Sequence, residues 1–270
     1  MEGVLSYAYA VVRSGDSLEE TALAGVRGVA AAPVTLVHSG GVAAAVSTVP
    51  EADFHEAALK GHLEDLDWLE TTARAHHFVI ETLAAHTTVL PLRLATVYLD
   101  HARVREMLAE REEDFTAMLA RLTDMVEWGV KIYAEAATAP PAAPASATSA
   151  AESPDPGRAY LARRRHQHRA REDAWQTAEE AVRRIDEQAR GLALDRARHR
   201  VQQTPPGGGA GENVANDAYL VPGPLAEEFR ERMARAADGL PGVRVEVTGP
   251  WAPYSFATPP EPDAQREATR

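Results

Sequence analysis

The chain has 270 residues, a length that suits one large domain or two domains of ordinary size. It contains no cysteine, which excludes disulfides, thiolate metal sites and cysteine nucleophiles, and its net charge of −12 argues against nucleic acid as a partner. Because it has neither a signal-peptide pattern at residues 1–5 nor a run of about 20 apolar residues, we expect a soluble, cytoplasmic protein without membrane contact.

The first predicted domain, residues 1–137, mixes strands with helices. Its elements before Pro50 follow from alternating apolar residues, from capping residues and from a hairpin turn at Ser39-Gly40-Gly41. They are predicted as a strand at 5–12, a helix at 16–26 and strands at 34–37 and 42–46.

The part of this domain after Pro50 is predicted to be mainly helical. Apolar residues there recur at steps of three and four and share one face of a long helix. They are Leu59, Leu63, Leu66, Leu69, Ala73, His76, Ile80 and Leu83. An extended segment, a second helix and a strand follow, at 89–98, 101–122 and 128–133. This order favours an α+β fold, and the nearest simple fold is a ferredoxin-like mixed sheet with helices on one face.

A linker and a smaller domain follow. Residues 138–157 are rich in Pro, Ala, Ser and Thr and have no apolar period, which predicts a linker. The C-terminal domain, 158–258, is predicted to be α+β with a long helix at about 158–202, and residues 259–270 are predicted to be a disordered tail. The other elements of this domain are predicted as a Gly-rich break at 204–211, strands at 218–221 and 243–247, and a helix at 224–237.

The long helix of the second domain combines a narrow apolar seam with a basic surface. The seam has the spacing typical of coiled coils and consists of Trp175, Ala178, Val182, Ile185, Ala189 and Leu192. It packs either within the domain or against a partner helix, which leaves self-association open. Residues 158–200 also carry 12 Arg and seven acidic residues.

This charge pattern allows three interpretations. The helix either pairs its own Arg and Glu side chains, or binds an acidic protein, or, as the least favoured interpretation, binds RNA. The candidate partner-binding residues are Arg163, Arg164, Arg165, Trp175, Val182 and Ile185.

No pattern for catalysis, metal binding or cofactor binding stands out. The ten histidines lack the spacing of a zinc site, and the Gly-rich run at 207–211 lacks the Gly-Lys-Ser/Thr ending of a phosphate loop. The carboxylates follow helices as solvated charge runs. We therefore expect a protein that works by binding, without a cofactor or a metal, and keep an enzyme acting on a small molecule as a minor alternative.

Three segments resemble a known family when they are taken in order. The first runs from Leu66-Asp67-Trp68 through His76 to the extended stretch at 89–98, the second is Glu127-Trp128-Gly129, and the third joins 216–221 to 248–256. Together they are similar to the GvpL/GvpF family of gas vesicle proteins. The family commonly has Phe-Gly where this chain has Leu94-Ala95, and Pro where it has Ala252.

The resemblance implies an accessory or minor structural protein of gas vesicles, built from two α+β domains of ferredoxin-like character. Such a protein is expected to bind the major shell protein and other gas vesicle proteins, to support vesicle assembly, and to have no enzymatic activity. A generic protein-binding scaffold that acts through the 158–202 helix is the alternative. The family-motif residues expected to have structural roles are Trp68, His76, Pro91, Arg93, Glu127, Trp128, Gly129, Tyr219, Gly249, Pro250, Trp251, Pro253, Tyr254 and Phe256.

Some of these residues carry specific expectations. Trp128 and Trp251 are predicted to be buried anchors, because large aromatic side chains contribute most to cores. Arg93 is predicted to pair with a carboxylate such as Glu127. The stretch at 249–256 holds prolines around aromatic residues and is predicted to be a stiff closure of the second domain, with direct contact to a partner as the less favoured alternative.

Overall fold

A computed structural model describes residues 3–15, 18, 23–62, 64–135, 156–201 and 211–257. The predicted linker, Gly-rich break, C-terminal tail and helix at 16–26 lie mostly outside these residues. The chain forms two compact units, Met1–Glu127 with Pro250–Arg270, and Trp128–Gly249. The units therefore do not divide at the predicted linker, and the closing segment belongs to the first unit instead of the second.

The first unit contains an antiparallel sheet. Its strands are β1 (Val4–Arg13), β2 (Val34–Ser39), β3 (Val42–Pro50), β4 (Leu90–Pro91) and β5 (Val97–Tyr98). The order is β2-β3-β1-β4, with β5 also paired to β1, which is the strand order of a ferredoxin-like fold. All pairings of these described strands are antiparallel, so the prediction of a mixed sheet is wrong.

A β-bulge in β1 determines which of its side chains face the core. The register with β3 shifts between Ala8 and Ala10, so that Tyr9 is the extra residue. A bulge reverses the alternation of side chains beyond it. Tyr7 before the shift, Tyr9 at the bulge and Val12 after it therefore join the same buried cluster.

Five helices of the first unit follow β3 in the described part of the chain. They are α1 (Glu51–Phe54), α2 (Glu56–His62), α3 (Leu66–Ala84), α4 (His101–Glu110) and α5 (Glu112–Leu122). Both predicted helices are thus interrupted. The long helix after Pro50 is broken by the extended backbone of His55 and again before Asp65, which caps α3. The helix predicted at 101–122 is broken at Arg111. Leu66 was expected on the buried face of one long helix. It is exposed instead, because it is the first residue of α3, a separate helix with its own buried face.

Helices cover both faces of this sheet. Val79, Ile80 and Leu83 of α3 pack in the cluster that contains Tyr7 and Tyr9. Helices α4 and α5 bury their own apolar faces and contact β1, β2 and β3. The continuous burial of residues 5–12 and 42–47 follows from this arrangement, which replaces the expected single helical layer.

The second unit is also α+β. Its elements are most of β6 (Met125–Ala134), α6 (Pro156–Ala189), β7 (Asp195–Arg198), β8 (Glu212–Pro222), α7 (Ala226–Arg235) and most of β9 (Val243–Trp251), with the sheet order β7-β8-β6-β9. The predicted helix at 158–202 instead ends at Ala189, and residues 195–198 pair with β8. The sequence Asp-Arg-Ala-Arg of β7 has no strand pattern, so pairing with β8 overrides its local preference.

The apolar seam of α6 packs inside the second unit. Its buried residues are Ala174, Ala178, Ala181, Ile185 and Ala189. Trp175 and Val182, which were expected in the seam, are only half-buried. Because α6 contacts β8 and α7 along this stripe, Ile185 is not available to a partner helix.

The turn after β4 holds a residue in left-handed backbone. Ala95 has φ 61°, and its N–H donates to the Tyr7 hydroxyl at 3.1 Å. Thr96, the next residue, closes the turn: its N–H and its hydroxyl both donate to Arg93 O, at 3.2 and 2.7 Å. Glycine adopts this conformation without the steric cost that a Cβ brings.

We expect Ala95→Gly to stabilise the protein by about 1 kcal/mol, because it removes the strain of a positive φ. Ala85→Gly is the matched control, since Ala85 has φ −68° at the end of α3 and glycine there should cost up to about 1 kcal/mol. Urea denaturation measures both changes. A loss of stability in Ala95→Gly would contradict the strain at this turn.

Candidate functional site

A buried histidine connects three segments of the first unit. His76 on α3 is 4% exposed, and its Nδ1 lies 3.0 Å from the Tyr7 hydroxyl of β1. Its Nε2 lies 3.2 Å from Leu92 O, which can only accept, so Nε2 carries the proton and Nδ1 accepts from Tyr7. Burial lowers the pKa of His76 to about 4, so the ring is neutral at physiological pH.

The second tyrosine of β1 has its own polar network. The Tyr9 hydroxyl accepts from Val29 N at 2.8 Å and donates to Ser47 Oγ at 2.9 Å. Ser47 in turn donates to Pro33 O at 2.9 Å. A Cβ at Gly28 would lie 2.1 Å from the Tyr9 hydroxyl, so this close approach requires glycine. Burial raises the pKa of Tyr7 and of Tyr9, which keeps both phenols protonated.

The C-terminal segment, residues 250–257, is fixed in the first unit by a buried carboxylate. Glu127 is 8% exposed, and its two oxygens accept from Ser255 N and Ser255 Oγ, both at 2.7 Å. Ala252 and Phe256 are buried, and Ala252 belongs to the cluster around Tyr7 and Tyr9. The segment is therefore part of the core of the first unit.

Tyr254 and Trp251 of this segment contact α3. The Tyr254 hydroxyl lies 3.0 Å from His77 Nδ1, while His77 Nε2 lies 3.1 Å from Glu81 Oε1. The Trp251 ring meets the His77 ring edge-on at 5.5 Å between centroids. Trp251 is 39% exposed, so its prediction as a buried anchor is wrong. The buried residues next to it, Ala252 and Phe256, are the anchors instead.

The structure places the remaining motif residues of the first unit separately. Trp68 is half-buried and stacks on His62, with ring centroids 4.8 Å apart. Pro91 is buried in β4 opposite Ala10. Arg93 is exposed, and in the described part of the chain no ion pair joins it to Glu127, whose carboxylate binds Ser255. The predicted Arg93–Glu127 pair is therefore wrong.

In the second unit, the motif residues lie in the sheet. Trp128 is 4% exposed, which confirms the predicted burial, but its Nε1 has no hydrogen-bond partner among the described residues. A Cβ at Gly129 would lie 2.7 Å from Thr248 Oγ1, so the two strands approach closely there. Tyr219 is buried against Phe229, and Gly249 has φ 134°, a conformation that favours glycine. Pro250, at the start of the closing segment, is exposed.

The first half of α6 presents the basic surface. Residues 164–169 are all exposed, including Arg164 and Arg165, whereas the side chain of Arg163 lies outside the described residues. Arg171 pairs with Glu212 at 2.6 Å, and His168 lies 3.2 Å from Glu172. Some charged side chains of this helix are therefore paired, within the helix or with β8, while Arg164 and Arg165 are exposed to solvent.

The described residues form neither a metal site nor a membrane-spanning helix. Among the described residues, no group of three or more His, Asp or Glu side chains could hold a metal ion. No helix in the same part of the chain is long and apolar enough to cross a bilayer.

His77, which binds Tyr254, and Ser255, which binds Glu127, were not predicted as site residues. Ser255 lies inside a recognised motif, but nothing local links it to Glu127, which is 128 positions away.

The sequence profile of the gas vesicle synthesis protein GvpL/GvpF family matches residues 5–258, nearly the whole chain. The chain belongs to this family. It is 43% identical over 259 residues to gas vesicle protein L of Streptomyces sp. (strain CB03234), with 96% of this chain and 95% of that protein covered. Gas vesicle protein F of the same strain is 31% identical over 126 residues, which is 47% of either chain.

Solved structures show the same fold for this member of the GvpL/GvpF family. The crystal structure of the gas vesicle protein GvpF from Anabaena sp. PCC7120 has a TM-score of 0.65 at 16% identity, covering 95% of this chain and 97% of that chain. GvpF from Microcystis aeruginosa has a TM-score of 0.61 at 17% identity, covering 94% and 99%. The α+β fold with two sheets is therefore that of the family.

We expect His76 to make stability depend on pH. Because its folded pKa of about 4 lies below the ordinary 6.5, the unfolded chain binds the proton first, and stability falls as the pH drops from about 6.5 to about 4. The total loss should approach about 3 kcal/mol. The difference in unfolding free energy between wild type and His76→Gln should shrink over this interval, while the exposed control His86→Gln should follow the wild type. A constant difference would contradict a neutral, buried His76.

We expect Glu127→Ala to release the C-terminal segment, because it leaves Ser255 N and Oγ without their carboxylate. Ser255→Ala, which removes one of the two hydrogen bonds, should cost about 1–3 kcal/mol of stability. Hydrogen exchange of residues 250–257 should accelerate in Glu127→Ala and remain slow in the control Glu106→Gln, because Glu106 is exposed on α4 and pairs with Arg103. Unchanged exchange in Glu127→Ala would show that Glu127 does not hold the segment.

Proposed function

We propose that this chain is an accessory protein of gas vesicles that binds the major shell protein and supports vesicle assembly in the cytoplasm. The observation that carries this proposal is the family match over residues 5–258. The partners are the shell protein and other gas vesicle proteins. The role is one of binding, with no catalytic step, no cofactor and no metal.

A physical reason supports a binding role of this kind. A shell subunit with apolar surface tends to aggregate before it is assembled. A protein with a net charge of −12 stays soluble and can keep such a subunit in solution while it is bound. The contact itself requires apolar surface on the accessory protein.

Two exposed aromatic side chains of the first unit provide apolar surface of this kind. Trp251 is 39% exposed and rests on His77, and Phe78, the next residue on α3, is 53% exposed. We call these two side chains the Trp251–Phe78 surface. Partly exposed aromatic residues on a fixed backbone are typical anchors of protein interfaces. We assign the shell protein to this surface.

The chain is proposed to act as an L-type member of the family. Its identity with gas vesicle protein L extends over 96% of the chain, whereas its identity with gas vesicle protein F is lower and covers 47%.

A second candidate role uses α6. The solvent-facing Arg164 and Arg165 favour a scaffold that binds an acidic protein through this helix. The burial of Ile185 leaves the basic surface, and not the apolar seam, as the contact.

We expect Trp251→Ala and Phe78→Ala to lower co-purification of the major shell protein several-fold when the two proteins are coexpressed. The soluble fraction of the shell protein should fall in parallel. Leu99→Ala is the matched control, because Leu99 is a 68% exposed apolar residue of the first unit outside this surface, and it should bind like the wild type. Arg164→Glu/Arg165→Glu tests the α6 alternative in the same assay.

The outcomes separate the surface from the function. If both aromatic variants are folded by thermal denaturation and bind like the wild type, the Trp251–Phe78 surface is wrong. If the wild-type chain neither retains the shell protein nor changes its solubility, shell binding itself is wrong. Loss of binding only in the arginine double variant would favour the α6 alternative.

A further inference from the structure

The sheet of the second unit ends in an open edge at β9. In the strand order β7-β8-β6-β9, β9 is the last strand, and among the described strands it pairs only with β6. Its residues 243–249 are all partly exposed in the folded chain. An edge strand has a row of backbone N–H and C=O groups outside the ladder, and this row can pair with one more strand.

The register between β6 and β9 determines which backbone groups of β9 point outward. Glu135 N donates to Gly242 O at 2.8 Å, and further along a Cβ at Gly129 would lie 2.7 Å from Thr248 Oγ1. Both contacts fit one unbroken antiparallel register. Because the backbone groups of successive residues point to opposite sides, those of every second residue from Gly242 onward face β6. The residues whose N–H and C=O point to the open edge are therefore Val243, Val245 and Val247.

The two faces of β9 differ in chemistry. The three valines share one face, since side chains alternate along a strand, and all three are only half-buried. The other face carries Arg244 and Glu246, whose side chains are 38% and 41% exposed. Arg244 is held over the Tyr133 ring, with its guanidinium carbon 4.0 Å from the ring centre, and its Nε donates to Glu135 at 2.6 Å. A strand added at this edge would cover the valines and meet two accessible charges.

The sequence of β9 is complementary to itself. In an antiparallel pair of two copies centred on Val245, Arg244 of each copy lies opposite Glu246 of the other. This is a non-hydrogen-bonded pair, in which side chains approach closely, and opposite charges at such positions stabilise the pairing. Centring the pair on Arg244 or on Glu246 instead would place two like charges opposite each other, which is destabilising. The charges therefore select one register and favour a second copy of this chain as the added strand.

We propose that β9 is a self-association surface, at which two copies of this chain pair antiparallel around a two-fold axis at Val245. The N–H and C=O of Val245 in each copy bond to those of the other copy. Two four-stranded sheets thereby join into one continuous sheet. Because each copy contributes the same edge, the contact closes at a dimer. This proposal does not depend on binding of the shell protein.

Sedimentation equilibrium of the full chain measures the dimer Kd. The wild type should approach twice the monomer mass as its concentration rises. Glu246→Arg should raise Kd by about tenfold or more, because it turns both charge pairs of the interface into repulsive ones. Glu179→Arg is the matched control, since it makes the same charge change at an exposed position of α6, and it should dimerise like the wild type.

A mixing experiment tests the register itself. Arg244→Glu should also weaken the dimer, with circular dichroism confirming that both variants are folded. An equal mixture of Glu246→Arg and Arg244→Glu should recover a dimer, because two arginines of one chain then lie opposite two glutamates of the other. Absence of this recovery between two folded variants would overturn the pairing centred on Val245.

A single introduced thiol gives a covalent measurement. The chain has no cysteine, so Val245→Cys carries one thiol only. Opposite residues of a hydrogen-bonded pair have Cα atoms about 5.5 Å apart, within the span of a disulfide, so mild oxidation should give a covalent dimer. Leu99→Cys, at an exposed position of the first unit, should remain monomeric under the same conditions. A wild type that stays monomeric at all concentrations, or a dimer that Glu246→Arg does not weaken, would overturn the proposal.

Discussion

The hydrogen bond from the Tyr7 hydroxyl to His76 Nδ1 organises the first unit. It joins β1 to α3, which lie 69 positions apart, and the same two side chains reach Ala95 N and Leu92 O in the turn after β4. A histidine in this core must remain neutral, because charging it would remove the acceptor that Tyr7 needs. The helix, the central strand and the turn therefore depend on one proton position.

The first unit is also constrained by the order of the chain. It contains residues before Glu127 and after Pro250, so the whole second unit is inserted between two parts of one core. Ser255 reaches Glu127 across 128 positions, and Ala252 joins the cluster around Tyr7 and Tyr9. Contacts of such long sequence separation are costly to close and form slowly, so the first unit is complete only when the end of the chain has folded.

Local patterns predicted the elements that depend on local chemistry. The β2–β3 hairpin follows from Gly40 and Gly41 between two apolar runs, and the strand order of the first sheet agrees with the ferredoxin-like expectation. The helix breaks at His55 and Arg111 occur without a proline or glycine at the break, so no local signal predicts them. Strand β7 has no strand pattern of its own and forms by pairing with β8. The predicted linker at 138–157 does not coincide with the division into two compact units, for a related reason. Composition identified a region without apolar period, but the first unit also contains the contact between Glu127 and Ser255, which no local pattern connects.

The residues recognised from the sequence fall into two physical classes. His76, Glu127 and Tyr254 have polar atoms that are bonded within the first unit, and their presence is explained by the fold. Trp251 exposes more than a third of a large apolar side chain, and the buried hydroxyl of Tyr219 has no hydrogen-bond partner among the residues that the structure describes. A buried hydroxyl without a partner costs stability, and a partly exposed aromatic ring leaves apolar surface in water. Partly exposed aromatic side chains on a fixed backbone are typical of protein interfaces, so the proposed contact with the shell protein is based on Trp251 and not on the residues of the first class.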